Sequence, residues 1–428
     1  MTFCWSSDGK AKYIRRCKSF GGQFFLTNAE RSRFHLTPNS VIIMTIFIDI
    51  TGFGIVIPLL PFYAQTFQAG SAALGILVAS FAMMQFIFAP LLGRVSDAVG
   101  RKPVLMISIL ISSTSFMLFA FANSFFMLLL SRIIAGMATE TAVAQAYIAD
   151  ITAEEERAKG IGRLGAAFGV GFIAGPAIGG FLSVQGYQAP GIAAVFLTLL
   201  NLLFVFIFLP ESATRRTRYS GLPEDHKKSK LSRFVGVFRK PLVGPTFLIS
   251  FIITFAFATI PVIAPLLGEL FFSFGAVEMS YVFIYIGLVQ IVLQGFIVGK
   301  LAKRLGEEKM IAFGPLLMTS GMLIMPLFPS VLIFICSITL LSVGIGLMDT
   351  AIPSFISKRT PKNEQGSMLG VSQSVSSIAR VPGPLIGGFV FEVAGVIAPF
   401  LLSSTLLIVA FLLGCKVFHA CVRVNFRN

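Results

Sequence analysis

The 428-residue chain contains little charge, because Asp, Glu, Lys and Arg together make up only 12% of it. Soluble domains usually carry about 25% charged residues. Hydrophobic residues make up 55% of the chain, which is more apolar surface than a soluble fold of this length can bury. Disordered chains need the opposite balance, with high charge and low hydrophobicity. The composition therefore excludes both classes and predicts a membrane protein.

Histidine and cysteine are scarce, which excludes several kinds of chemistry. The three histidines, His35, His226 and His419, lie outside the apolar stretches, and the five cysteines are scattered without metal-ligand spacing. These features argue against a histidine proton relay, a metal site and a disulfide framework. The sequence also lacks a Walker phosphate loop, a zinc-protease motif and an embedded Ser/His pair. We expect no enzyme activity, no ATP coupling, no metal and no cofactor.

Twelve stretches are apolar and long enough to cross a bilayer as helices, which takes about 20 residues. These stretches, called spans 1 to 12 below, are predicted at 41–63, 74–93, 103–122, 124–149, 161–183, 190–209, 243–267, 280–299, 310–328, 330–356, 367–390 and 394–416. The alternating segments of a membrane β-barrel are not found. The sequence therefore predicts an all-α membrane protein with twelve transmembrane helices.

The basic residues are concentrated at one end of the spans. Of the 34 Lys and Arg residues, 32 lie at or beside the termini and the connections after spans 2, 4, 6, 8 and 10. We call this the basic end. The distribution argues against nucleic-acid binding despite the net charge of +15. The positive-inside rule instead places both termini in the cytosol, in a multi-pass protein of the cell membrane.

The expected organisation has five parts. A basic cytosolic segment without a cleavable signal occupies 1–40, and six-helix halves occupy 41–209 and 243–416. A cytosolic loop at 210–242 joins the halves, and a cytosolic tail follows at 417–428.

The two halves repeat each other in sequence. GRVSDAVGRK at 93–102 matches GKLAKRLGEE at 299–308, an offset of 206 (299 − 93). AGPAIGGF at 174–181 matches PGPLIGGF at 382–389, an offset of 208 (382 − 174). Transporters use such parallel repeats to place a substrate site between the halves and to rock one half against the other. The repeat therefore predicts an alternating-access transporter.

Several of these motifs resemble a known family. The loop motif at 93–102, RIIAG at 132–136, YIADIT at 147–152 and the GxxxGPxxGG pattern of span 5 resemble the major facilitator superfamily. The combination is most similar to the drug:proton antiporters with twelve helices, above all to the tetracycline-efflux branch. The resemblance covers residues 41–416. Ala98 departs from it, because the family usually has Arg or Lys at this position.

The resemblance implies roles for two motifs. The loop after span 2 is expected to form a conformational latch that favours the outward-facing state, although a solvated turn is the simpler alternative. The latch residues are Gly93, Asp97, Gly100 and Arg101. The span 5 motif is expected to pack tightly and to seal the transporter on the side away from the cytosol. Its residues are Gly171, Gly175, Pro176, Gly179 and Gly180.

Five ionisable residues fall within the spans, where a charge costs about 2.5–3.5 kcal/mol or more and indicates function. They are Asp49, Arg132, Glu140, Asp349 and Arg380. Asp49 and Glu140 are predicted to lie at similar depths and to carry protons, with Arg132 tuning them. A structural ion pair between Arg132 and one of these acids is the alternative. Asp349 follows Glu140 by 209 residues (349 − 140), so the repeat predicts that the two face each other across the symmetry axis.

Glutamines in the spans are candidates for the substrate cavity, together with Asp349. They are Gln145, Gln290, Gln294 and Gln373. Each amide could bind a substrate or bond to a neighbouring helix, and the sequence leaves both possibilities open.

The sequence as a whole predicts a proton-coupled antiporter that exports small, amphipathic, drug-like molecules. The expected partners are the substrate, protons and the lipid bilayer, and the protein is expected to be a monomer driven by the proton gradient. One alternative is a proton symporter or facilitator for a metabolite such as a sugar or an organic acid. A membrane receptor that has lost transport is a further alternative.

Overall fold

A computed structural model of the chain describes residues 37–152, 156–212, 242–361 and 364–425. Within these ranges all regular elements are helical. The helices belong to one compact unit that begins at Pro38. Nearly all of the predicted basic segment 1–40 and of the central loop 210–242 lies outside the described residues.

The N-terminal half contains eight helices that form spans 1 to 6. Span 1 comprises α1 and the short α2, and span 4 comprises α5 and α6. The helices are α1 (Pro38–Val56), α2 (Leu60–Gln65), α3 (Ser71–Val99), α4 (Arg101–Ala120), α5 (Phe125–Met137), α6 (Glu140–Ile151), α7 (Arg157–Ser183) and α8 (Gln188–Phe208).

The C-terminal half contains spans 7 to 12. Span 8 comprises α10, a π-helical turn at Leu293–Ile297 and α11, and span 11 comprises α14 and α15. The helices are α9 (Val243–Phe272), α10 (Ala276–Val292), α11 (Val298–Leu305), α12 (Glu307–Ile324), α13 (Val331–Lys358), α14 (Gln365–Ala379), α15 (Pro382–Ala394) and α16 (Ala398–Asn425). The last helix continues into residues that the sequence assigns to the tail.

Ten of the twelve predicted spans have the length and hydropathy of a membrane-crossing helix in the described ranges. The other two are spans 9 and 11. Span 9 corresponds to α12, which has 18 residues and carries Glu307 and Glu308 in its first turn. Span 11 is divided between two helices of 15 and 13 residues.

Besides span 1, where turn residues 57–59 separate α1 from α2, two further spans that the sequence treats as continuous helices are interrupted. In span 4, Ala138 and Thr139 have non-helical ψ angles of 124° and 60°, and α6 begins at Glu140. In span 11, α15 begins at Pro382. Proline lacks a backbone N–H and therefore favours the first turn of a new helix. Each break exposes helix ends within a span, where the partial charges of the helix termini can bind groups of a transported substrate or ion.

The two halves meet mainly through two pairs of helices, α3 with α15 and α7 with α10, with smaller contacts of α9 with α2 and α3 and of α14 with α3. Glycine makes the first contact possible. A side chain at Gly75 would collide with the carbonyl oxygen of Pro384, and one at Gly388 would collide with that of Ser71. These contacts lie at the end opposite the basic end. We call it the acidic end, because its connections contain Glu269, Glu278 and Glu392 and no Lys or Arg.

The same helices separate toward the basic end. Seven glycines there have no described heavy atom within 4 Å of the position that a Cβ would occupy. They are Gly93 of α3, Gly162 and Gly165 of α7, Gly295 and Gly299 of span 8, and Gly366 and Gly370 of α14. Since the close contacts between the halves are concentrated toward the acidic end, we infer that the space between the halves is closed there and open at the basic end.

Candidate transport site

A pair of carboxyl groups lies inside the N-terminal half. The carboxyl groups of Asp49 on α1 and Glu140 on α6 lie close enough to interact electrostatically. Glu140 is 2% exposed, whereas Asp49 is partly exposed. The hydroxyl of Ser112 on α4 donates a hydrogen bond to Glu140 Oε1 over 2.7 Å. Two of the three predicted proton-coupling residues are thus close neighbours.

The third predicted coupling residue, Arg132, is not paired with either acid. It is 3% exposed on α5, and its Nε donates to the Ser131 hydroxyl at 3.3 Å. Its guanidinium carbon lies 5.5 Å from the ring centroid of Phe119. Its Nη2 has no hydrogen-bond partner among the described residues. The ion pair that the sequence left open is therefore not formed in the described part of the chain.

A second charged pair lies in the C-terminal half. Asp349 of α13 interacts electrostatically with Arg380, which lies at the break between α14 and α15. Both residues are exposed, although Asp349 lies nine residues before the end of α13 at Lys358, about 14 Å along the helix. Since the halves separate toward this end, the pair faces the open space. Glu140 is instead enclosed by its own half, so the two acids occupy unlike environments.

The four predicted glutamines fall into two groups. Gln290 bonds to a neighbouring helix, because its amide donates to the carbonyl oxygen of Ser342 at 3.0 Å. Gln294 lies in the π-helical turn and donates to Gln290 Oε1 at 3.1 Å. Gln145 and Gln373 are exposed. Gln290 therefore serves helix packing, and π-helical turns such as the one at Gln294 occur often at functional sites.

The predicted latch residues form a charge cluster in the turn between α3 and α4. Gly100 has a φ of 124°, which favours glycine. Arg101 pairs with Asp97 at 2.6 Å and, through Nε, with Asp150 of α6 at 2.9 Å. Its Nη1 also donates to the Ser96 hydroxyl at 2.6 Å. All these partners belong to the N-terminal half, so in this state the cluster ties α3, α4 and α6 together.

The C-terminal half contains the same cluster with the charges reversed. Glu307, at the start of α12, pairs with Lys358 at the end of α13 at 2.5 Å, and the Ser354 hydroxyl donates to Glu307 Oε1 at 2.9 Å. Burial would raise the pKa of Glu307, but hydrogen bonds from Lys358, its own backbone and Ser354 outweigh burial, so its pKa lies below the ordinary value. Arg101 and Asp150 occupy the corresponding positions of the first half.

The span 5 motif packs mainly against α1. A Cβ on Gly175 would lie 2.6 Å from the carbonyl oxygen of Thr51 and from the Cα of Gly54. Gly171 lies against Phe47 and Ile50, and Gly179 lies against Ile55. These glycines therefore hold α7 against the segment of α1 that carries Asp49. Gly180 differs, because a Cβ there would lie 2.6 Å from Ser280 in the other half.

Two glutamates that the sequence analysis did not single out join the halves at the acidic end. Glu392 of α15 accepts hydrogen bonds from the Ala72 backbone N–H at 2.8 Å and the Ser71 hydroxyl at 3.4 Å. It thereby caps the N-terminus of α3, whose N-cap is Gly70. Gln65 of α2 donates to Glu269 Oε2 at 2.5 Å. The acidic bias of these connections was the available signal.

Comparison with known proteins identifies the family. The Major Facilitator Superfamily matches residues 42–383 and 272–420. The tetracycline resistance protein, class E, of Escherichia coli is 35% identical over 356 residues, which are 82% of this chain and 87% of that protein. Multidrug resistance protein 2 of Bacillus subtilis is 29% identical over 376 residues, 86% of this chain and 92% of that protein. The crystal structure of the human organic anion transporter MFSD10 is similar in fold, with a TM-score of 0.66 at 24% identity, covering 88% of this chain and 98% of that one.

The chain belongs to the major facilitator superfamily. It is a multi-pass membrane protein with the alternating-access fold of that family. The resemblance to drug-efflux transporters drawn from the sequence is confirmed. Of the relatives named above, one is named as an organic anion transporter and none is named as an enzyme.

Proposed function

We propose that the protein is a proton-coupled antiporter that exports small, amphipathic, drug-like molecules. The observation that supports this most directly is the close approach of the Asp49 and Glu140 carboxyl groups. Two adjacent carboxylates repel each other, so such a pair favours the state in which one of them is protonated. A partly exposed pair that holds one proton inside a membrane helix bundle is suited to proton exchange. The similarity to tetracycline and multidrug resistance proteins supports export of drug-like substrates.

The substrate binds, in this proposal, on the C-terminal side of the open space. Asp349 and Arg380 offer both signs of charge there, and Gln373 offers an exposed amide nearby on α14. A zwitterionic or cationic amphipathic molecule can satisfy such a pair. For antiport, the carboxyl pair in the other half must release its proton when the substrate binds and take one up when the substrate leaves.

Orientation and energy source complete the proposal. The basic end faces the cytosol, so both termini are cytosolic and the structure is in the inward-open state. The proton gradient drives export, no cofactor takes part, and a monomer is sufficient because the site lies between the halves of one chain.

Proton movement in vesicles tests the proposal. The purified full-length protein is reconstituted into vesicles with an acidic lumen that contains a pH-sensitive dye. Adding tetracycline outside should raise the lumenal pH, because each entering molecule exchanges for a proton. The Asp49→Asn variant should lose this response, whereas Glu278→Gln, which alters an exposed acid at the acidic end, should retain it. A further fall in lumenal pH would favour a symporter, and an unchanged pH with every compound of a cationic, zwitterionic and neutral panel would favour a receptor.

The substrate position has its own test. Asp349→Asn is expected to weaken binding of cationic and zwitterionic compounds by about 1–3 kcal/mol, because a charge-assisted contact with the substrate is lost. Binding of neutral analogues should change little. Titration of the protein with charged and neutral fluorescent compounds measures both affinities. Equal loss for charged and neutral compounds would show that Asp349 does not contact the substrate's charge.

A further inference from the structure

The hydrogen-bond donors around the carboxyl pair are unevenly divided. Glu140 accepts a hydrogen bond from the Ser112 hydroxyl over 2.7 Å. In the described part of the chain no hydroxyl, amide or backbone N–H donates to the side chain of Asp49. A carboxylate anion needs donors, and each donor to a charged group stabilises that charge. The geometry therefore favours Glu140 as the charged member.

The two acids also differ in exposure, and the acid that has the hydrogen-bond donor is the less exposed one. Glu140 is 2% exposed behind α1 and α4, whereas Asp49 is partly exposed. Glu140 is also the first residue of α6. A helix N-terminus carries a partial positive charge that stabilises an anion. The enclosed acid thus has the environment of a fixed anion, and the accessible acid has the route for proton exchange.

We propose that Ser112 is a positioning residue that fixes Glu140 as the anion and leaves the exchangeable proton on Asp49. This inference rests on the proposed proton coupling. When the proton leaves, the O–H bond of Asp49 breaks and the proton passes to water in the open space. Asp49 is then a carboxylate beside the Glu140 carboxylate, and uptake of a proton from water reverses the step.

No other charged group lies at the depth of the pair in the described part of the neighbouring helices. On α3, α4, α6 and α7 the charged residues lie at the basic end, and α8 has none. They are Arg94, Asp97, Arg101, Lys102, Asp150, Arg157, Lys159 and Arg163. Asp150 is ten residues from Glu140, about 15 Å along the helix. Arg132 contacts Ser131 and Phe119 instead. The local donors therefore decide which acid is charged.

Infrared spectroscopy tests where the proton resides. The purified full-length protein in lipid at neutral pH should show a carbonyl band from a protonated carboxyl group that belongs to the pair. This band should disappear in Asp49→Asn and persist in Glu140→Gln. The reverse pattern, persistence in both variants, or absence of the band from the unaltered protein would overturn the assignment.

The pH dependence of transport tests the role of Ser112. In Ser112→Ala the Glu140 anion loses a donor, so the pair takes up a second proton more readily. The acid limb of the transport profile should move by about one pH unit to higher pH, a roughly tenfold change in proton affinity. Ser112→Thr keeps the hydroxyl and should restore the original profile. Ser115→Ala removes a buried hydroxyl that bonds to a carbonyl of its own helix, and it should leave the profile in place.

The outcomes separate this inference from the proposed function. An unshifted profile in Ser112→Ala, or an equal shift in Ser115→Ala, would show that Ser112 is only structural. The infrared measurement needs no transport. If its pattern is as expected but the unaltered protein moves no protons with any substrate, the proton assignment stands and the antiporter proposal fails.

Discussion

At the scale of single residues, the two halves use opposite charges for the same contact. Arg101 and Asp150 join α4 to α6, and Glu307 and Lys358 join α12 to α13 at the equivalent place. Each basic-end surface therefore has its own polarity, with Asp97 exposed in one half and Lys303 exposed in the other. Surfaces of opposite polarity attract each other when the halves close at this end.

The Glu307–Lys358 pair should contribute a pH-dependent part of the stability. The pKa of Glu307 is lowered in the folded protein, so its contribution is present above the ordinary glutamate pKa and is lost as the pH falls through the lowered value. Because 65% of the Lys358 side chain is exposed, the contribution is about 0.5–1 kcal/mol. Glu307→Gln should lower the thermal midpoint at neutral pH and not in acid.

The control for this prediction is a double exchange, Glu307→Lys with Lys358→Glu. It restores an ion pair with the polarity of the first half and should recover most of the stability at neutral pH. A loss in Glu307→Gln that is the same at both pH values would assign the effect to packing rather than to charge.

At the scale of helices, three of the interruptions occur where ionisable or polar residues lie. Glu140 begins α6, Arg380 follows the last residue of α14, and Gln294 lies in the π-helical turn. Hydropathy predicted the spans because it sums over many residues, but it carries no information on where a helix is interrupted. Pro382 and Pro384 were a usable signal in span 11. Ala138 and Thr139 were not, since only the surrounding packing determines their conformation.

The contact between α7 and α1 predicts unequal effects of glycine substitution. Gly175→Ala places a methyl group 2.6 Å from Thr51 O and Gly54 Cα, so α1 must shift. Overpacking of this kind costs about 1–3 kcal/mol, and the shift displaces Asp49. We expect a lower thermal midpoint and loss of proton-coupled uptake in the vesicle assay.

Gly165→Ala is the matched control on the same helix, because no described atom lies within 4 Å of the added methyl group. It should leave the thermal midpoint unchanged or raise it slightly, since alanine favours helix more than glycine. Equal destabilisation by the two variants would show that the close approach of α7 to α1 does not limit stability.

At the scale of the whole molecule, the cap of α3 by Glu392 should hold the acidic end closed. Removing a helix cap costs about 1 kcal/mol, which shifts a two-state equilibrium about fivefold. The reporter is Ser280→Cys, which lies in the closed contact and is 1% exposed. In a background without native cysteines, adding Glu392→Ala should speed labelling of this cysteine from the acidic-end side. Gln185→Ala, at an exposed position of the same end, should not change the rate.

The orientation predicts which positions can be labelled from outside intact cells. In a background without native cysteines, Gln185→Cys at the acidic end should react with an impermeant reagent. Ala98→Cys at the basic end should react only after the cells are permeabilised. Both positions are exposed, so a difference in labelling reflects the side of the membrane on which each position lies. Reaction of Ala98→Cys in intact cells would reverse the proposed topology.

The repeat predicted the division into halves, but it did not predict the contacts that close the acidic end. Equivalent positions in the two halves have similar packing residues, which is why glycine motifs recur at offsets of 206 and 208. Glu392 has no such counterpart, because position 184 (392 − 208) is Val184. These contacts depend on which segments of the two halves meet in space, and the sequence repeat carries no information on those meetings. The close approach of Asp49 to Glu140 was likewise foreseen only as a similarity of depth.

The carboxylates that join the halves at the acidic end also determine how easily that end opens. Glu392 and Glu269 are exposed at the acidic end, which by the proposed orientation faces the surroundings. Their bonds to Ala72 and Gln65 join the two halves, so both bonds must break each time the acidic end opens. A change that weakens either bond should therefore make the acidic end open more readily, and a change that strengthens it should hold that end closed.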